Sequence, residues 1–147
     1  MLEEHRMLQD LVRKFVDREL MPLEAAVLER EANGGSYSLT DEEEAPLFAK
    51  CRELGLWGLD VPESLGGAGM PVSALVAVHE ELARTVTPFT IPPDSPNLHM
   101  MMAVADEYQS EHYLKPYADG TKHSAVGISE PGAGGDPCLL YTSPSPR

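Results

Sequence analysis

The N-terminal part of the chain carries apolar side chains at three- and four-residue steps, the spacing of a helix that buries one face. This spacing predicts an amphipathic helix over residues 3–20, with Asp10 and Lys14 paired at i,i+4 on the opposite face. Pro22 interrupts the pattern, and a second helix is predicted over about residues 23–32. The apolar face of the first helix consists of Met7, Leu8, Leu11, Val12, Phe15 and Val16.

A sequence with the form of a capping box, residues 40–43, opens the third predicted helix, with carboxylates where a helix N-terminus favours negative charge. Pro46 suits the first turn of a helix better than its interior. Gly55 lies where a left-handed C-cap belongs. Cys51 has no base or cation that the sequence assigns to it, so we interpret it as a small core residue. The apolar face of this helix consists of Leu47, Cys51 and Leu54.

The middle of the chain alternates between proline- or glycine-rich connections and apolar segments. A loop of small and rigid residues covers 56–69, and a helix that is apolar on most sides is predicted over about 71–85. Four prolines make residues 87–96 an extended connection, since proline does not suit a helix interior. Helical character resumes over 98–105, where three successive methionines are either core filler or the wall of an adaptable apolar pocket.

The pattern changes near the C-terminal end of the chain. Ser110 is the predicted N-cap of a last helix over 111–118, which Gly120 ends. Residues 124–129 then alternate apolar and small side chains as a strand does, and a glycine-rich turn follows over 130–136. The predicted fold class is therefore mainly α, with a helical domain that leads into the first strand of a truncated β domain.

The last ten residues, 138–147, have no periodicity and contain two Ser-Pro pairs. They match one reading frame of a transposase adapter used in shotgun sequencing libraries. We expect them to be a non-native tail and the chain to be a fragment. The expected domains are then 1–121, helical, and 122–137, the start of a β domain.

Composition narrows the class of protein but not its chemistry. The 147 residues are 42% hydrophobic and 24% charged, with a net charge of −13. This acidity argues against a nucleic-acid partner, and no apolar run approaches the ~20 residues of a membrane span. The N-terminus lacks the features of a signal peptide. Two cysteines, Cys51 and Cys138, suggest reduced thiols and a cytoplasmic location.

No catalytic motif stands out from the residues alone. The five histidines lack the spacing of metal ligands, so no metal site is predicted. Two glycine-rich loops, 65–69 and 132–135, would let a ligand approach bare backbone N–H groups, although a plain turn explains either loop as well.

Three segments together resemble the acyl-CoA dehydrogenase family. The first, residues 54–69, contains LGLWG, VPE and GGAG; the second, residues 80–84, is EELAR. The third and most specific is ISEPGAGGD, residues 128–136. Their order and separation also fit, and the resemblance covers about residues 3–137.

The resemblance implies an N-terminal helical domain, a central β domain and a C-terminal helical bundle, with FAD and an acyl-CoA thioester bound side by side. It implies fatty acid metabolism, in which a carboxylate abstracts the α proton while the β hydride passes to flavin N5. Electrons would then leave to an electron-transfer flavoprotein, and the full-length protein would be a homo-oligomer.

The resemblance also assigns roles to individual residues. Val126, Ile128 and Ser129 match the strand that contacts the flavin. Gly135 stands where a serine commonly touches the substrate, so only its backbone could make that contact. Segment 91–102 matches the lining of the acyl pocket, although its proline-rich start departs from the continuous helix of many members. The substrate-contacting residues expected there are Leu98, Met101 and Met102.

No catalytic residue is assigned, because the family's catalytic base would lie beyond residue 137. The fragment alone is therefore expected to be inactive. Two alternatives stay open: a flavin-dependent oxidase or monooxygenase on the same scaffold, and a non-enzymatic helical interaction module that ends near residue 137.

Overall fold

The computed structural model describes residues 3–93 and 95–125, and helices account for most of this range. No strand is present within these residues, which confirms the mainly helical fold class. The predicted β strand, the glycine-rich turn and the tail at 126–147 lie outside the described residues. The helices are α1 (Glu3–Phe15), α2 (Glu24–Ala32), α3 (Asp41–Glu53), α4 (Val72–Leu82), α5 (Ser95–Val104), α6 (Glu107–Gln109) and α7 (Lys115–Asp119).

The first predicted helix is confirmed, and five of the six residues of its predicted apolar face lie in the core or pack against it, the exception being Met7. Val12 and Val16 are fully buried, whereas Met7 is 69% exposed. With 3.6 residues per turn, Met7 falls on the far side of the helix from Val16. Two turns before Val12 the buried position is His5, a polar residue that the apolar pattern could not reveal.

The predicted pair of Asp10 with Lys14 is wrong. Asp10 accepts from Arg13 instead, at 3.4 Å and i,i+3 spacing. Arg13 uses its remaining donors on Glu81 of α4, at 2.7 and 3.2 Å. Arg84 reaches the same carboxylate at 3.0 Å, so two guanidinium groups share one buried acid.

The Glu81 contacts join α1 to α4. The Arg13 hydrogen bond is the largest cause that holds the pKa of Glu81 below its ordinary value, ahead of the Arg84 hydrogen bond and against the opposing effect of burial. Arg84 also donates to Asp17 at 2.8 Å, just beyond the end of α1. Ion pairing therefore adds to the apolar contact between these two helices.

Pro22 breaks the helical path as predicted. A π-helical turn (Val16–Leu20) and a 3₁₀ turn (Met21–Leu23) carry the chain from α1 into α2. Pro22 is the second residue of the 3₁₀ turn, where its missing N–H and fixed φ are tolerated.

The capping box of α3 is confirmed. The Glu43 amide donates to the Thr40 hydroxyl at 3.3 Å, and the Thr40 amide donates to the Glu43 carboxylate at 2.9 Å. The helix runs through Pro46 to Glu53. Cys51 is fully buried, and burial raises the pKa of its thiol to about 12, which fits a core residue and not a nucleophile.

Helix α4 differs from the prediction that it is buried on most sides. Ala74, Ala77 and Val78 are buried, but Val72 is 75% exposed and Val76 is 53% exposed. Helix α4 packs on α1 with the small residues alanine and valine at the contact. Val72 and Val76 lie on the other side of the helix and are left in contact with solvent.

The extended connection is confirmed as far as residue 93, and it includes a cis peptide bond between Pro92 and Pro93. Helix α5 begins at Ser95, three residues before the predicted start. The last helical segment also begins early, because Asp106 is the N-cap and forms a capping box with Gln109, where Ser110 was expected. Gly120 ends α7 with φ +85°, as predicted.

Two clusters of buried side chains form the core. The larger joins α1, α3, α4 and the loop after α3, around Phe15, Leu20 and Leu56. The smaller joins α5 to the last helical segment around Leu98, Leu114 and Tyr117, with Val61 from the loop. The residues between the two clusters form the walls of a cavity.

Candidate functional site

The cavity has a volume of about 240 Å³. Three parts of the chain that are distant in sequence meet there: α3 with the loop after it, the proline-rich connection, and the end of α7 with the residues that follow. Aromatic and proline side chains dominate the lining. The lining residues are Glu44, Phe48, Trp57, Pro88, Thr90, Ile91, Pro92, Pro93, Tyr117, Gly120, Lys122, His123 and Ser124.

A run of aromatic rings leads from the core to the cavity. Phe15 contacts Phe89 at a centroid distance of 5.7 Å, and Phe89 contacts Phe48 at 5.9 Å. Phe48 then meets Trp57 edge to face at 5.8 Å and 81°. Such geometry suits the ring quadrupoles, so the wall made by Phe48 and Trp57 is anchored on the core.

Trp57 is fixed by contacts on several sides. Its indole N–H donates to the carbonyl of Ala118 at 2.9 Å. The guanidinium of Arg52 lies over the ring at 3.5 Å, and Arg52 also donates to the carbonyl of Asp119. A Cβ on Gly120 would come within 2.4 Å of the indole ring, so only glycine fits there. The Trp57 ring is therefore held in one position before any ligand arrives.

Backbone and side-chain hydrogen bonds hold the other walls. The Gly58 amide donates to the carbonyl of Pro92 at 2.8 Å, which ties the proline-rich connection to the loop after α3. Ser124 donates to the Tyr117 hydroxyl at 3.2 Å and accepts from Asn97 of α5 at 2.8 Å. These bonds fix the chain shortly before Val126.

The charged groups at the cavity do not form an anion site. The Lys122 ammonium donates to the carbonyl of His112 at 2.6 Å and lies 4.7 Å from the centre of the Tyr113 ring. Glu44 contributes a carboxylate to the lining. An anionic ligand would therefore meet a negative charge and a cation that is already engaged.

The loop at 65–69 is a self-contained turn. The amides of residues 66–69 donate at 2.8–3.1 Å to backbone carbonyls of residues 58–63, which precede them in the connection between α3 and α4. A Cβ on Gly67 would lie 2.1 Å from the Val61 carbonyl oxygen. Its glycines thus serve close backbone packing, and their N–H groups are not presented to a ligand. The second glycine-rich loop, 132–135, lies outside the described residues.

The three residues expected to contact substrate from α5 differ in their surroundings. Leu98 is fully buried in the smaller core cluster, Met101 packs against that cluster, and Met102 is 37% exposed. None of them is among the residues that line the cavity. Their contact with substrate stays a prediction, as do the roles of Val126, Ile128, Ser129 and Gly135, which lie outside the described residues.

Ile91, Pro92 and Pro93 belong to the segment 91–102 that was expected to line the acyl pocket, but the sequence analysis missed the aromatic residues of the cavity. Phe48, Trp57 and Tyr117 are separated by up to 69 positions, and no local pattern links them. Trp57 was noted within a motif but without a chemical role. The one available signal was its rarity, since it is the only tryptophan of the chain.

The described residues contain no group of three or more His, Cys, Asp or Glu side chains placed to hold a metal ion. In the same part of the chain, no helix combines the length and the apolar character needed to cross a membrane.

Comparison with known protein families identifies the family of this chain. Residues 2–121 match the model of the acyl-CoA dehydrogenase N-terminal domain. The chain belongs to the acyl-CoA dehydrogenase family. The cavity, apart from its last three lining residues, lies within this matched domain.

Individual relatives agree with the acyl-CoA dehydrogenase assignment. The chain is 38% identical to (R)-benzylsuccinyl-CoA dehydrogenase of Thauera aromatica, over 96% of this chain and 37% of the relative. It is 31% identical to a 3-(aryl)acrylate reductase of Clostridium sporogenes, over 96% of this chain and 36% of that protein. It is also 31% identical to the caffeyl-CoA reductase–Etf complex subunit CarC of Acetobacterium woodii, over 91% of this chain and 34% of that subunit.

A solved structure supports the same fold. A candidate acyl-CoA dehydrogenase from Mycobacterium abscessus superposes with a TM-score of 0.71 and 29% identity, over 90% of this chain and 36% of that one. The chain thus spans 31–37% of the length of the proteins it matches.

Proposed function

We propose that this chain is the N-terminal part of a longer FAD-dependent acyl-CoA dehydrogenase, which oxidises the Cα–Cβ bond of an acyl-CoA thioester. The observation that carries the proposal is the match of residues 2–121 to the N-terminal domain of that family. The aromatic cavity adds a place for an acyl group, since small-molecule sites are concave and mostly apolar.

The residue types at 126–135 fit a flavin. In the strand that the sequence predicts, Val126 and Ile128 would offer backbone N–H and C=O groups, Ser129 would offer a hydroxyl, and the glycines after Pro131 would leave room for a ligand beside the backbone. Residues 121–125 are non-helical and exposed, which supports the proposed domain boundary near residue 122. When bound, FAD would supply an acceptor for the β hydride at N5.

The chain's own part in the reaction would be to bind and orient the acyl group. The aromatic and proline side chains of the cavity would hold the far end of that group, and Ser124, which lines the cavity and bonds to Tyr117, lies two residues before the segment assigned to the flavin. Gly135 would touch the substrate through its backbone. The carboxylate that takes the α proton would lie beyond residue 137, so the 147-residue chain alone would not catalyse the reaction.

The names of the relatives bear on the partner and on the direction of the reaction. One relative is a subunit of a caffeyl-CoA reductase–Etf complex, which supports an electron-transfer flavoprotein as the redox partner here. Two relatives are named as reductases. Reduction of an α,β-unsaturated acyl group is therefore the second candidate, with the redox partner setting the direction. A homo-oligomeric full-length protein and a cytoplasmic location remain predictions from the sequence.

The test is an anaerobic assay of the longer gene product with acyl-CoA thioesters and electron-transfer flavoprotein or a dye as acceptor. We expect thioester-dependent reduction of the acceptor by the longer protein and none by residues 1–147. In a parallel aerobic assay without added acceptor, thioester-dependent consumption of oxygen would favour the oxidase alternative. Turnover by the 147-residue chain would contradict the assignment of the base to the part beyond residue 137.

A further inference from the structure

The cavity is large enough for one ring and too small for a whole acyl-CoA. Its volume is about 240 Å³, whereas an apolar protein cavity of about 150 Å³ already binds benzene. Sites for whole drug-sized ligands begin at about 300 Å³. The capacity therefore corresponds to a ring and a short linker, with the rest of the ligand outside.

The walls favour a flat aromatic ring over a flexible alkyl chain. Phe48 and Trp57 present an edge-to-face pair, and Tyr117 and three prolines add further rigid surfaces to the lining. An aromatic ligand gains edge-to-face or offset contacts with such rings in addition to the burial of its surface. An alkyl chain gains only the burial and loses rotational freedom when it binds.

The site is organised in advance, and this lowers the cost of binding. The contacts of Trp57 with Arg52, Ala118 and Gly120 fix its ring. Phe48 is fixed by Phe89, which contacts Phe15 of the core. Side chains that are already ordered lose little entropy when the ligand enters.

We propose that this cavity receives the aryl end of the acyl group, and that Phe48 and Trp57 determine a preference for aryl-bearing over alkyl acyl thioesters. The assignment to substrate rests on the proposed function. It also requires that the thioester end lie toward residues 126–135, which follow directly from the lining residue Ser124.

The single tryptophan makes the inference directly measurable, because Trp57 lines the cavity and is the only indole in the chain. The 147-residue chain is titrated with 3-phenylpropanamide, 3-cyclohexylpropanamide and hexanamide, and indole fluorescence is followed. Neutral amides are chosen because Glu44 and the net charge of −13 would repel carboxylates. We expect saturable binding of the phenyl amide with a Kd about two- to tenfold below that of the cyclohexyl amide.

Two matched variants locate the preference. Phe48→Leu removes one ring of the wall but keeps the indole, and it should reduce the preference for the phenyl amide at least twofold. Tyr108→Leu makes the same aromatic-to-aliphatic change on an exposed side chain outside the cavity and should leave the preference intact. Far-UV circular dichroism of each variant verifies that the helices are retained.

Equal affinities for the three amides, an unchanged indole signal, or an unchanged preference in Phe48→Leu would overturn the inference. The longer protein supplies the second measurement, the ratio of kcat/KM for 3-phenylpropanoyl-CoA to that for hexanoyl-CoA. We expect this ratio to fall at least threefold in Phe48→Leu. If the 147-residue chain prefers the phenyl amide but the ratio of kcat/KM values does not fall in Phe48→Leu, the cavity is not the site of the substrate's acyl group.

The experiments distinguish failure of the proposed function from failure of this inference. A longer protein that turns over no thioester, while the 147-residue chain still prefers the phenyl amide, would overturn both the proposed activity and the assignment of the ring to its substrate. Loss of the ring preference in a protein that still oxidises thioesters would overturn this inference alone.

Discussion

At the scale of single residues, Glu81 carries the clearest electrostatic constraint in the described part of the chain. Its carboxylate is almost fully buried and accepts from Arg13 and Arg84, both of which keep part of their surface in water. A buried charge is tolerated when it is paired and hydrogen-bonded, and removal of one partner leaves the others unsatisfied.

Glu81→Gln should lower the free energy of unfolding by about 1–3 kcal/mol, because the amide keeps the volume but loses the charge that both guanidinium groups need. Urea denaturation followed by circular dichroism measures the change. Glu80→Gln, the exposed neighbour on the same helix, is the matched control and should change stability by less than about 0.5 kcal/mol.

The Glu81 contribution should also depend on pH in a defined direction. Arg13, followed by Arg84, lowers the pKa of Glu81 from the ordinary 4.5, so the unfolded state binds this proton more readily than the folded state. The contribution is complete above about pH 5 and is lost as the pH falls through the folded pKa. Glu81→Gln should therefore flatten the acid limb of the stability profile relative to Glu80→Gln, and equal slopes would contradict this account.

Two features restrict position 120 to glycine, the positive φ and the close approach of the Trp57 ring, and a pair of substitutions can distinguish their effects on stability. Its φ is +85°, and an added Cβ would collide with the indole of Trp57. Gly34 has a similar φ of +79° with open space around it. Gly34→Ala should therefore cost only the backbone penalty, about 1–2 kcal/mol.

Gly120→Ala should cost more than Gly34→Ala and should also shift the indole fluorescence, because the ring must move. Thermal unfolding and the emission maximum measure the two effects. If the two variants lose the same stability and leave the emission unchanged, the close approach of Gly120 to Trp57 is wrong.

At the scale of elements, the ends of helices were predictable from the sequence, whereas the packing of one helix face against another was not. The capping box at Thr40 and the left-handed glycines at 55 and 120 depend on neighbours within four residues, so the sequence identifies them. The exposed Val76 and the buried His5 depend on which helix covers which face. The aromatic cavity was out of reach for the same reason, since its walls come from three separate segments.

Helix α5 illustrates the difference, because three successive methionines and a leucine gave no sign of which residue enters the core. Leu98→Ala should lower the free energy of unfolding by about 2–5 kcal/mol, as expected for a fully buried leucine. Met102→Ala, at a side chain that is partly in solvent, should cost less than about 1 kcal/mol. Chemical denaturation compares them, and a larger loss in Met102→Ala would reverse the assigned orientation of α5.

At the scale of the whole molecule, the described helices form a core of their own but carry apolar side chains on the surface. Val72 on α4, and Met100 and Val104 on α5, are at least 60% exposed. The chain matches its relatives over most of its own length but over less than two fifths of theirs. The family assignment therefore rests on the helical domain, while the chemistry proposed for the protein depends on residues 126–137 and on sequence beyond them.

The most direct test of the central claim is the absorption spectrum of the longer gene product, purified without added cofactor and then mixed anaerobically with an acyl-CoA thioester. The account predicts a yellow protein whose oxidised flavin band is bleached by the thioester, in an amount that matches the bound flavin. A colourless protein that fails to take up added FAD would contradict the account, whatever the stability of the helical domain.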